Sequence, residues 1–265
     1  MTRVLVTGAA SGIGRATCLR LAREASNRGE TGQVAAVDLE PSARMDGLLQ
    51  ELRELGAEPL PLYGDMGTTN DPARVVGEAT DRFGGLDALV SNAGVNRPGP
   101  LVSYSVEDWD RLFAVNTRAT FLLAQAAHPT LKASGGAIAI VGSMSGSNAH
   151  AGLGAYAPTK AAVIMLARVL AQEFGRDGIR VNSVSPGMVR TGMTEAVYAD
   201  AEITAARNAL VPLGRVATPE DIADVIAFLL SPQARYVNGH DLIVDGGVSG
   251  NHLGRLPGLS QVTRA

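Results

Sequence analysis

The chain has 265 residues, enough for one large domain or two small ones, of which 46% are hydrophobic and 18% are charged. Its formal net charge of −3, without a cluster of Lys and Arg, argues against nucleic-acid binding through phosphate neutralisation. Cys18 is the only cysteine in the sequence, which excludes an internal disulfide and is typical of a reducing compartment.

The beginning of the chain runs directly into a buried-strand pattern at Val4–Thr7, without the pattern of a signal peptide before it. No apolar run approaches the roughly 20 residues that cross a bilayer as a helix. The four histidines do not show the spacing of metal ligands, so no metal site is predicted. Together these features predict a cytoplasmic protein without a membrane partner.

Short apolar runs alternate with longer helical patterns along the chain. Strands are predicted at Val4–Thr7, Val34–Asp38, Pro59–Tyr63, Ala88–Asn92, Ala137–Ser143, Arg180–Ser185 and Leu242–Val244. Helices are predicted near Ile13–Ala25, Ala43–Leu55, Pro72–Phe83, Val106–Leu131, Ala155–Phe174 and Pro219–Leu230. The strand runs are apolar throughout, which is typical of parallel strands covered on both faces. The pattern predicts an α/β fold with a Rossmann-like, doubly wound, mostly parallel seven-stranded sheet and helices on both faces.

Two stretches interrupt this alternation, a polar loop at 27–32 and an irregular helical pattern at about 188–213. Neither has the composition of an interdomain linker, and the chain shows no internal repeat. We therefore expect a single domain at 1–250, followed by a C-terminal tail at 251–265.

A glycine-rich turn joins the first predicted strand to the first predicted helix, in the segment Thr7-Gly8-Ala9-Ala10-Ser11-Gly12-Ile13-Gly14. Glycine lets the backbone approach a pyrophosphate closely. The helix after the turn would direct its N-terminal amides and positive dipole end at the phosphates. Because the turn lies between a strand and a helix, it predicts a dinucleotide-binding site.

Asp38 ends the second predicted strand. A carboxylate at this position would accept hydrogen bonds from an adenosine ribose and would repel a 2′-phosphate. No Arg follows Asp38, and Ser11 rather than a basic residue precedes Gly12. These observations favour NAD over NADP as the cofactor.

A tyrosine and a lysine four residues apart, Tyr156 and Lys160, suggest acid/base chemistry. Of the 23 basic residues, only Lys132 and Lys160 are lysines. Four residues are about one helical turn, so both side chains would lie on one helix face. Alone, this spacing is also that of a solvated helix face. A lysine ammonium, however, changes its pKa far more readily than an arginine guanidinium, and beside a phenol it makes a tunable acid/base.

These motifs occur together with Asn92-Ala93-Gly94, Ser143 and Pro186-Gly187. In order and approximate spacing they resemble the short-chain dehydrogenase/reductase family over about residues 2–247. The resemblance implies an oxidoreductase that moves a hydride between an alcohol carbon and a nicotinamide ring. It implies that Tyr156 exchanges the hydroxyl proton, for which its pKa would have to fall by a few units from ~10. A nearby ammonium and a positively charged nicotinamide would together stabilise the phenolate.

The resemblance also implies roles for other residues that match the family pattern. Lys160 would lower the pKa of Tyr156 and hydrogen-bond the nicotinamide ribose, Ser143 would hold the substrate oxygen, and Asn116 would belong to a water-linked proton relay. Asp65 would bind the adenine amino group. Cofactor contacts are implied at Gly8, Ser11, Gly12, Ile13, Gly14, Asp38, Leu39, Asp65, Met66, Asn92, Ala93, Gly94, Tyr156, Lys160, Pro186, Gly187, Val189 and Thr191.

The segment at 188–213 is expected to close over a small-molecule substrate. Substrate contacts are predicted at Asn96, Met144, His150, Met188 and Met193. Arg97 is either an anion ligand or a solvated loop residue. These residues do not distinguish a sugar, an acyl thioester, a steroid or a cyclic diol. By resemblance, the chain is expected to form a homotetramer or a homodimer.

Other functions remain as alternatives to an NAD-dependent dehydrogenase. One is an NADP-dependent 3-oxoacyl-type ketoreductase. Another is a catalytically silent dinucleotide-sensing regulator, although proteins of that kind commonly lose the Tyr or the Lys. Sugar-nucleotide epimerases and dehydratases have a different spacing of the glycines, so this chain fits them poorly. Enoyl reductases have a wider spacing between the Tyr and the Lys, so they also fit poorly.

Overall fold

Seven strands form one parallel sheet in the computed structural model, which describes residues 3–192 and 194–251. The strands are β1 (Arg3–Thr7), β2 (Gln33–Asp38), β3 (Glu58–Tyr63), β4 (Ala88–Ser91), β5 (Ala137–Val141), β6 (Arg180–Pro186) and β7 (Asp241–Val244). This sheet confirms the predicted fold, and each strand lies within two residues of its predicted bounds. The predicted substrate contact Met193 and the tail beyond residue 251 lie outside the described residues.

The strand order across the sheet is β3-β2-β1-β4-β5-β6-β7, and every neighbouring pair is parallel. The chain therefore reverses its direction of winding between β3 and β4, which lies next to β1. At such a switch point the loops after the two central strands diverge and leave a crevice outside their carboxyl ends. A ligand site is expected there.

Helices cover both faces of this sheet. They are α1 (Gly12–Asn27), α2 (Ala43–Glu54), α3 (Asp71–Phe83), α4 (Val106–Phe113), α5 (Ala119–Ser134), α6 (Tyr156–Phe174), α7 (Glu195–Tyr198), α8 (Ala201–Leu210) and α9 (Pro219–Leu230). On one face α1, α2 and α9 bury side chains such as Leu48 and Ile226 against the strands. On the other face α3, α5 and α6 bury side chains such as Val75 and Leu123. Within the described ranges, every helix is too short or insufficiently apolar to span a bilayer.

The helix predicted at Val106–Leu131 is interrupted. It consists of α4, a π-helical turn at Ala114–Arg118, and α5, which extends to Ser134. A π turn inserts one extra residue into a helix and is frequently found at functional sites. Here it carries Asn116, whose side chain is buried.

The segment at 188–213 leaves the sheet after β6 and forms two short helices, α7 and α8. The start of this segment is joined to Ala217, four residues beyond its end, by backbone hydrogen bonds from Arg190 N to Ala217 O at 2.9 Å and from Ala217 N to Met188 O at 2.9 Å. Asp200 is the N-cap of α8, because its carboxylate accepts hydrogen bonds from the first amides of that helix. The segment therefore forms a long loop that starts and ends at the carboxyl edge of the sheet.

Candidate functional site

A cavity of about 810 Å³ opens at the carboxyl edge of the sheet. This volume lies within the range of about 300–1,000 Å³ that is usual for small-molecule sites. The predicted residues that line the cavity are Gly8, Ser11, Gly12, Ile13, Asp38, Leu39, Asp65, Met66, Asn92, Ala93, Gly94, Asn96, Ser143, Met144, His150, Tyr156, Lys160, Pro186, Gly187, Met188, Val189 and Thr191. Gly14 and Asn116 lie outside the lining, and each packs behind it.

The glycine-rich turn lines this cavity and leads into the N-terminus of α1. Gly8 and Gly12 have φ of 65° and 52°, in the left-handed region that favours glycine. Ser11, the residue before α1, makes no side-chain hydrogen bond to the helix, and the first turn contains no acidic residue. Within the described part of the chain, the first amides of α1 are therefore capped neither by Ser11 nor by an acidic side chain of the first turn. This arrangement fits the phosphates of a dinucleotide.

Gly14 supports the turn by close packing. A Cβ at this position would lie 2.1 Å from Gly8 O and 2.7 Å from Asn92 Nδ2. The Asn92 side chain also donates to Thr7 O at 2.8 Å and to Gly8 O at 3.2 Å, and so ties the end of β4 to the turn. The helix and the turn approach each other too closely for any side chain other than hydrogen.

We expect Gly14→Ala to destabilise the protein by more than about 2 kcal/mol, because the methyl group overpacks a contact made of backbone atoms. Gly47→Ala is the matched control, since a Cβ at that position in α2 would contact nothing within 4 Å. That change should stabilise the protein by about 0.5–1 kcal/mol. Urea unfolding of both variants measures the difference, and equal stabilities would contradict the packing argument.

The carboxylate of Asp38 lies directly against the turn. Its Oδ2 accepts a hydrogen bond from Ala10 N at 2.8 Å, and its Oδ1 accepts one from Leu39 N at 2.8 Å. The two backbone amides hold the carboxylate in one orientation at the cavity wall. Each oxygen keeps a lone pair, so the group fits the hydroxyls of an adenosine ribose.

Asp65 forms an ion pair that the sequence did not predict. Arg111 donates to both of its oxygens at 2.9 Å, and Gly67 N donates to Oδ1 at 2.8 Å. The hydrogen bonds from Arg111 lower the pKa of the Asp65 carboxyl, so it is held as a carboxylate. Its predicted contact with an adenine amino group stays a prediction. Arg111 lies 46 residues away on α4, and neither residue carries a local sign of the pairing.

Tyr156 begins α6 and faces the cavity beside Ser143, which follows β5. Burial raises the pKa of the Tyr156 phenol, and a hydrogen bond with Ser143 lowers it by a smaller amount. The pKa expected from the sequence was lower than that of a free tyrosine. In the protein by itself desolvation is the larger effect, so positive charge near the ring is needed to reverse it.

Lys160 lies one helical turn further along α6, with its Nζ 5.8 Å from the centre of the Tyr156 ring. The side chain is 4% exposed, and its ammonium donates a hydrogen bond to Val141 O at 2.7 Å. Burial lowers the pKa of Lys160 to about 8. The sequence analysis predicts an ammonium near the Tyr156 phenol, and Lys160 occupies that position.

Asn116 connects the π turn to its surroundings. Its Oδ1 accepts from Val95 N at 2.8 Å, and its Nδ2 donates to Val95 O at 3.0 Å and to Thr159 Oγ1 at 3.1 Å. These contacts join the loop after β4 to the first turn of α6. A Cβ on Gly94 would lie 3.4 Å from Asn116 Oδ1 and 3.7 Å from Lys160 Nζ, so the three residues adjoin. The proton-relay role of Asn116 stays a prediction.

The remaining wall of the cavity belongs to the predicted substrate region. His150 Nδ1 lies 2.8 Å from Ser145 Oγ, and this contact holds the imidazole ring at the cavity wall. Asn96 Oδ1 is shielded from solvent and has no hydrogen-bond partner among the described residues. An acceptor in this condition favours a ligand that brings a donor. Further lining residues that the sequence did not single out include Leu153, Arg207 and Leu210.

The site fits a nicotinamide dinucleotide on several independent points. The uncapped N-terminus of α1 suits the phosphates, the Asp38 carboxylate suits a ribose, and the buried Lys160 ammonium lines the same cavity. When bound, such a cofactor supplies the hydride acceptor or donor that side chains lack.

Comparison with known proteins places the chain among related sequences along most of its length. Residues 8–249 match a family model described as enoyl-(acyl carrier protein) reductase. The chain is 39% identical over 253 residues to the (3R)-3-hydroxyacyl-CoA dehydrogenase of Rattus norvegicus, covering 92% of this chain and 95% of the relative. It is 37% identical over 245 residues to the 3-oxoacyl-[acyl-carrier-protein] reductase FabG of Thermotoga maritima, covering 92% and 96%.

The fold is also similar to that of solved structures. A crystal structure of a short chain dehydrogenase from Burkholderia cenocepacia in complex with NADP matches with a TM-score of 0.84 and 33% sequence identity. The match covers 93% of this chain and 97% of that one.

Proposed function

The chain belongs to the short-chain dehydrogenase/reductase family of oxidoreductases, and on this premise we propose that it transfers a hydride between NAD(H) and a secondary alcohol or its ketone. Tyr156 acts as the general acid/base. The observation that carries the proposal is the shared cavity, in which Tyr156, Ser143 and Lys160 face the same space as the glycine-rich turn and Asp38.

The protein side chains manage the proton and the orientation of the substrate. During oxidation the Tyr156 phenolate takes the hydroxyl proton of the alcohol, and during reduction the phenol returns it to the forming alkoxide. The Ser143 hydroxyl hydrogen-bonds the same substrate oxygen and keeps it within reach of the phenol. The Lys160 ammonium favours the phenolate and holds the nicotinamide ribose.

Burial explains why both positive charges are needed. Since the phenol of Tyr156 is harder to ionise in the protein than in water, the phenolate forms only when cationic groups are close. Lys160 provides one such charge, and oxidised nicotinamide carries another. The proton therefore leaves Tyr156 most readily when the oxidised cofactor is in place.

The proposed preference for NAD rests on Asp38, and Asp38→Asn tests it. The amide keeps the size of the side chain but removes the charge that would face a 2′-phosphate. We expect the ratio of kcat/KM with NAD to kcat/KM with NADP to fall at least about tenfold, because a like-charge repulsion of more than about 1.4 kcal/mol is lost. Steady-state kinetics with both cofactors gives this ratio.

Asp81→Asn is the control for this measurement, because Asp81 is an exposed carboxylate on α3 outside the cavity lining. It should leave the ratio unchanged. A wild-type enzyme that prefers NADP, or an Asp38 variant with the same ratio as the wild type, would remove the support for NAD.

A second candidate, an NADP-dependent 3-oxoacyl-type ketoreductase, is supported by the similarity to the Thermotoga reductase and to the NADP complex from Burkholderia. A substrate panel separates the two. Secondary alcohols, 3-oxoacyl thioesters and enoyl thioesters are each assayed by nicotinamide absorbance with NAD(H) and NADP(H). Carbonyl reduction with NADPH favours the second candidate, whereas reduction of the enoyl double bond would contradict both. Tight cofactor binding without any turnover would favour a sensing regulator.

Assembly into a homotetramer or homodimer stays part of the proposal. Support comes from large apolar side chains that the single chain leaves exposed. They include Phe121 on α5, Met165 and Val169 on α6, and Phe228 on α9, each at least 42% exposed. These side chains lie on both faces of the sheet, on α5 and α6 and on α9, and exposed apolar side chains of this size are typical of surfaces that another subunit covers.

A further inference from the structure

The charged groups that line the cavity are unevenly distributed across the sheet. Asp38 follows β2 and Asp65 follows β3, so both carboxylates lie beyond β1 on one side of the switch point. Ser143 follows β5, and the segment that carries α7 and α8 follows β6, on the opposite side. The lining residues of α7 and α8 contain a guanidinium, that of Arg207, and no carboxylate.

The position of α8 confirms this separation from the two carboxylates. Just beyond α8, Val211 contacts the turn after β7, where a Cβ on Gly246 would lie 2.5 Å from Val211 Cγ1. Since β7 is the edge strand opposite β3, the end of α8 packs at the opposite edge of the sheet from the strand that Asp65 follows. Among the residues of α7 and α8 that line the cavity, Arg207 therefore contributes a positive charge, whereas the carboxylates of these helices, Glu195 and Glu202, lie outside the lining.

Tyr198 holds the Arg207 side chain in place. The guanidinium carbon lies 5.3 Å from the centre of the Tyr198 ring, and Nη1 donates to the Tyr198 hydroxyl at 3.2 Å. Tyr198 itself is 4% exposed, and its backbone oxygen accepts from Thr204 Oγ1 at 3.2 Å. A guanidinium stacked on a buried ring loses less conformational entropy when it binds a ligand than a freely moving one.

Arg207 also lacks a carboxylate partner among the described residues, although it is half-buried. The other arginine that lines the cavity, Arg111, is paired with Asp65. Arg97, which the sequence offered as an anion ligand, is exposed, forms an ion pair with Asp108 at 3.2 Å and does not line the cavity. A partly desolvated guanidinium with unused donors is stabilised by an oxyanion from a ligand.

We propose that Arg207 binds a negatively charged group of the substrate, a carboxylate or a phosphate, and so selects anionic alcohols over neutral ones. This inference rests on the proposed dehydrogenase function. It assigns the substrate class as a hydroxy acid or a hydroxyacyl conjugate that carries phosphate, with Arg207 as the residue that determines specificity.

Four related probes test the inference: 3-hydroxybutyrate, 3-hydroxybutyryl-CoA, and the neutral methyl ester and N-acetylcysteamine thioester of the same acid. Arg207→Met should lower kcat/KM for one of the anionic probes about 10- to 100-fold, the loss expected when a charge-assisted hydrogen bond is removed. The neutral probes should change less than about twofold. A loss confined to the free acid identifies a carboxylate, and one confined to the CoA thioester identifies a phosphate.

Two further variants control for charge and folding. Arg207→Lys keeps the charge and should recover part of the lost activity on the anionic probe. Arg235→Met removes an exposed arginine outside the cavity and should behave as the wild type. Equal losses on anionic and neutral probes, or a wild-type preference for the neutral probes, would overturn the inference.

A binding measurement separates this inference from the proposed function. Calorimetric titration of the NADH-loaded protein, which cannot oxidise an alcohol, with 3-hydroxybutyrate and with 3-hydroxybutyryl-CoA should show weaker binding to Arg207→Met than to the wild type. A wild-type protein that turns over no alcohol or ketone would contradict the proposed function, while the titration would still decide whether Arg207 binds the anion. Equal binding by the wild type and Arg207→Met would overturn the role of Arg207 alone.

Discussion

Tyr156→Phe is expected to lower kcat for alcohol oxidation by about 10²–10⁴-fold, the range in which a positioned general acid/base contributes. The change removes one oxygen atom and leaves the ring in place at the start of α6. Without the phenol, the group that hydrogen-bonds Ser143 and that we propose exchanges the hydroxyl proton is lost. Cofactor binding should change little, since the Asp38 carboxylate and the amides of α1 remain.

Two quantities are compared between Tyr156→Phe and the wild type. The first is kcat on the alcohol that the wild type oxidises best in the substrate panel, and the second is the Kd of the cofactor. Tyr236→Phe is the matched control, because this tyrosine is 100% exposed and outside the cavity lining. Retention of wild-type kcat by Tyr156→Phe would show that another group moves the proton. A large loss of cofactor affinity in the same variant would instead assign the residue to binding.

The positions of the strands could be predicted because the parallel sheet lies between two helical layers. A run such as Ala137–Val141 has no polar side chain on either face, since both faces are buried. The π turn at Ala114–Arg118 could not be predicted in the same way, because it contains no Pro or Gly to mark a change of helical pitch. Its extra residue is stabilised by distant contacts of Asn116 with Val95 and Thr159.

The residues of the candidate site also fall into two groups, those that a local sequence pattern identifies and those that only the fold brings together. Asp38 and Tyr156 could be identified because each belongs to a short pattern with a chemical reason for its spacing. The pairing of Asp65 with Arg111 depends on the fold, which brings α4 to the loop after β3, and no local sequence pattern indicates it. The sequence analysis did not identify Arg207 for a similar reason, because the long loop after β6 brings α8 to the cavity and no local pattern indicates this.

Lys160→Met is expected to change how stability depends on pH. In the folded, cofactor-free protein burial holds the pKa of Lys160 at about 8, whereas its ordinary value is 10.5. Below pH 8 both the folded and the unfolded chain carry this proton, so it adds no slope. Between pH 8 and 10.5 the unfolded chain binds the proton and the folded protein does not. The wild type therefore gains stability relative to the variant as the pH rises through this window.

The gain should amount to about 3 kcal/mol, from about 1.36 kcal/mol for each unit by which the pKa is shifted. Urea unfolding of both proteins at several pH values gives the difference in unfolding free energy, in which the titration of all other groups cancels. Lys132→Met is the control, because Lys132, the only other lysine of the chain, is exposed and paired with Asp177 at 2.7 Å. Its difference from the wild type should not rise between pH 8 and 10.

The same variant should lose activity, because the phenolate of Tyr156 then lacks the ammonium that stabilises it. We expect kcat to fall by about 10²-fold or more, as the removal of several kcal/mol of charge stabilisation requires. Raising the pH should restore part of this activity by ionising Tyr156 directly, whereas it should not rescue Tyr156→Phe. A difference in stability that stays flat from pH 8 to 10.5 would show that Lys160 is not desolvated in the folded protein.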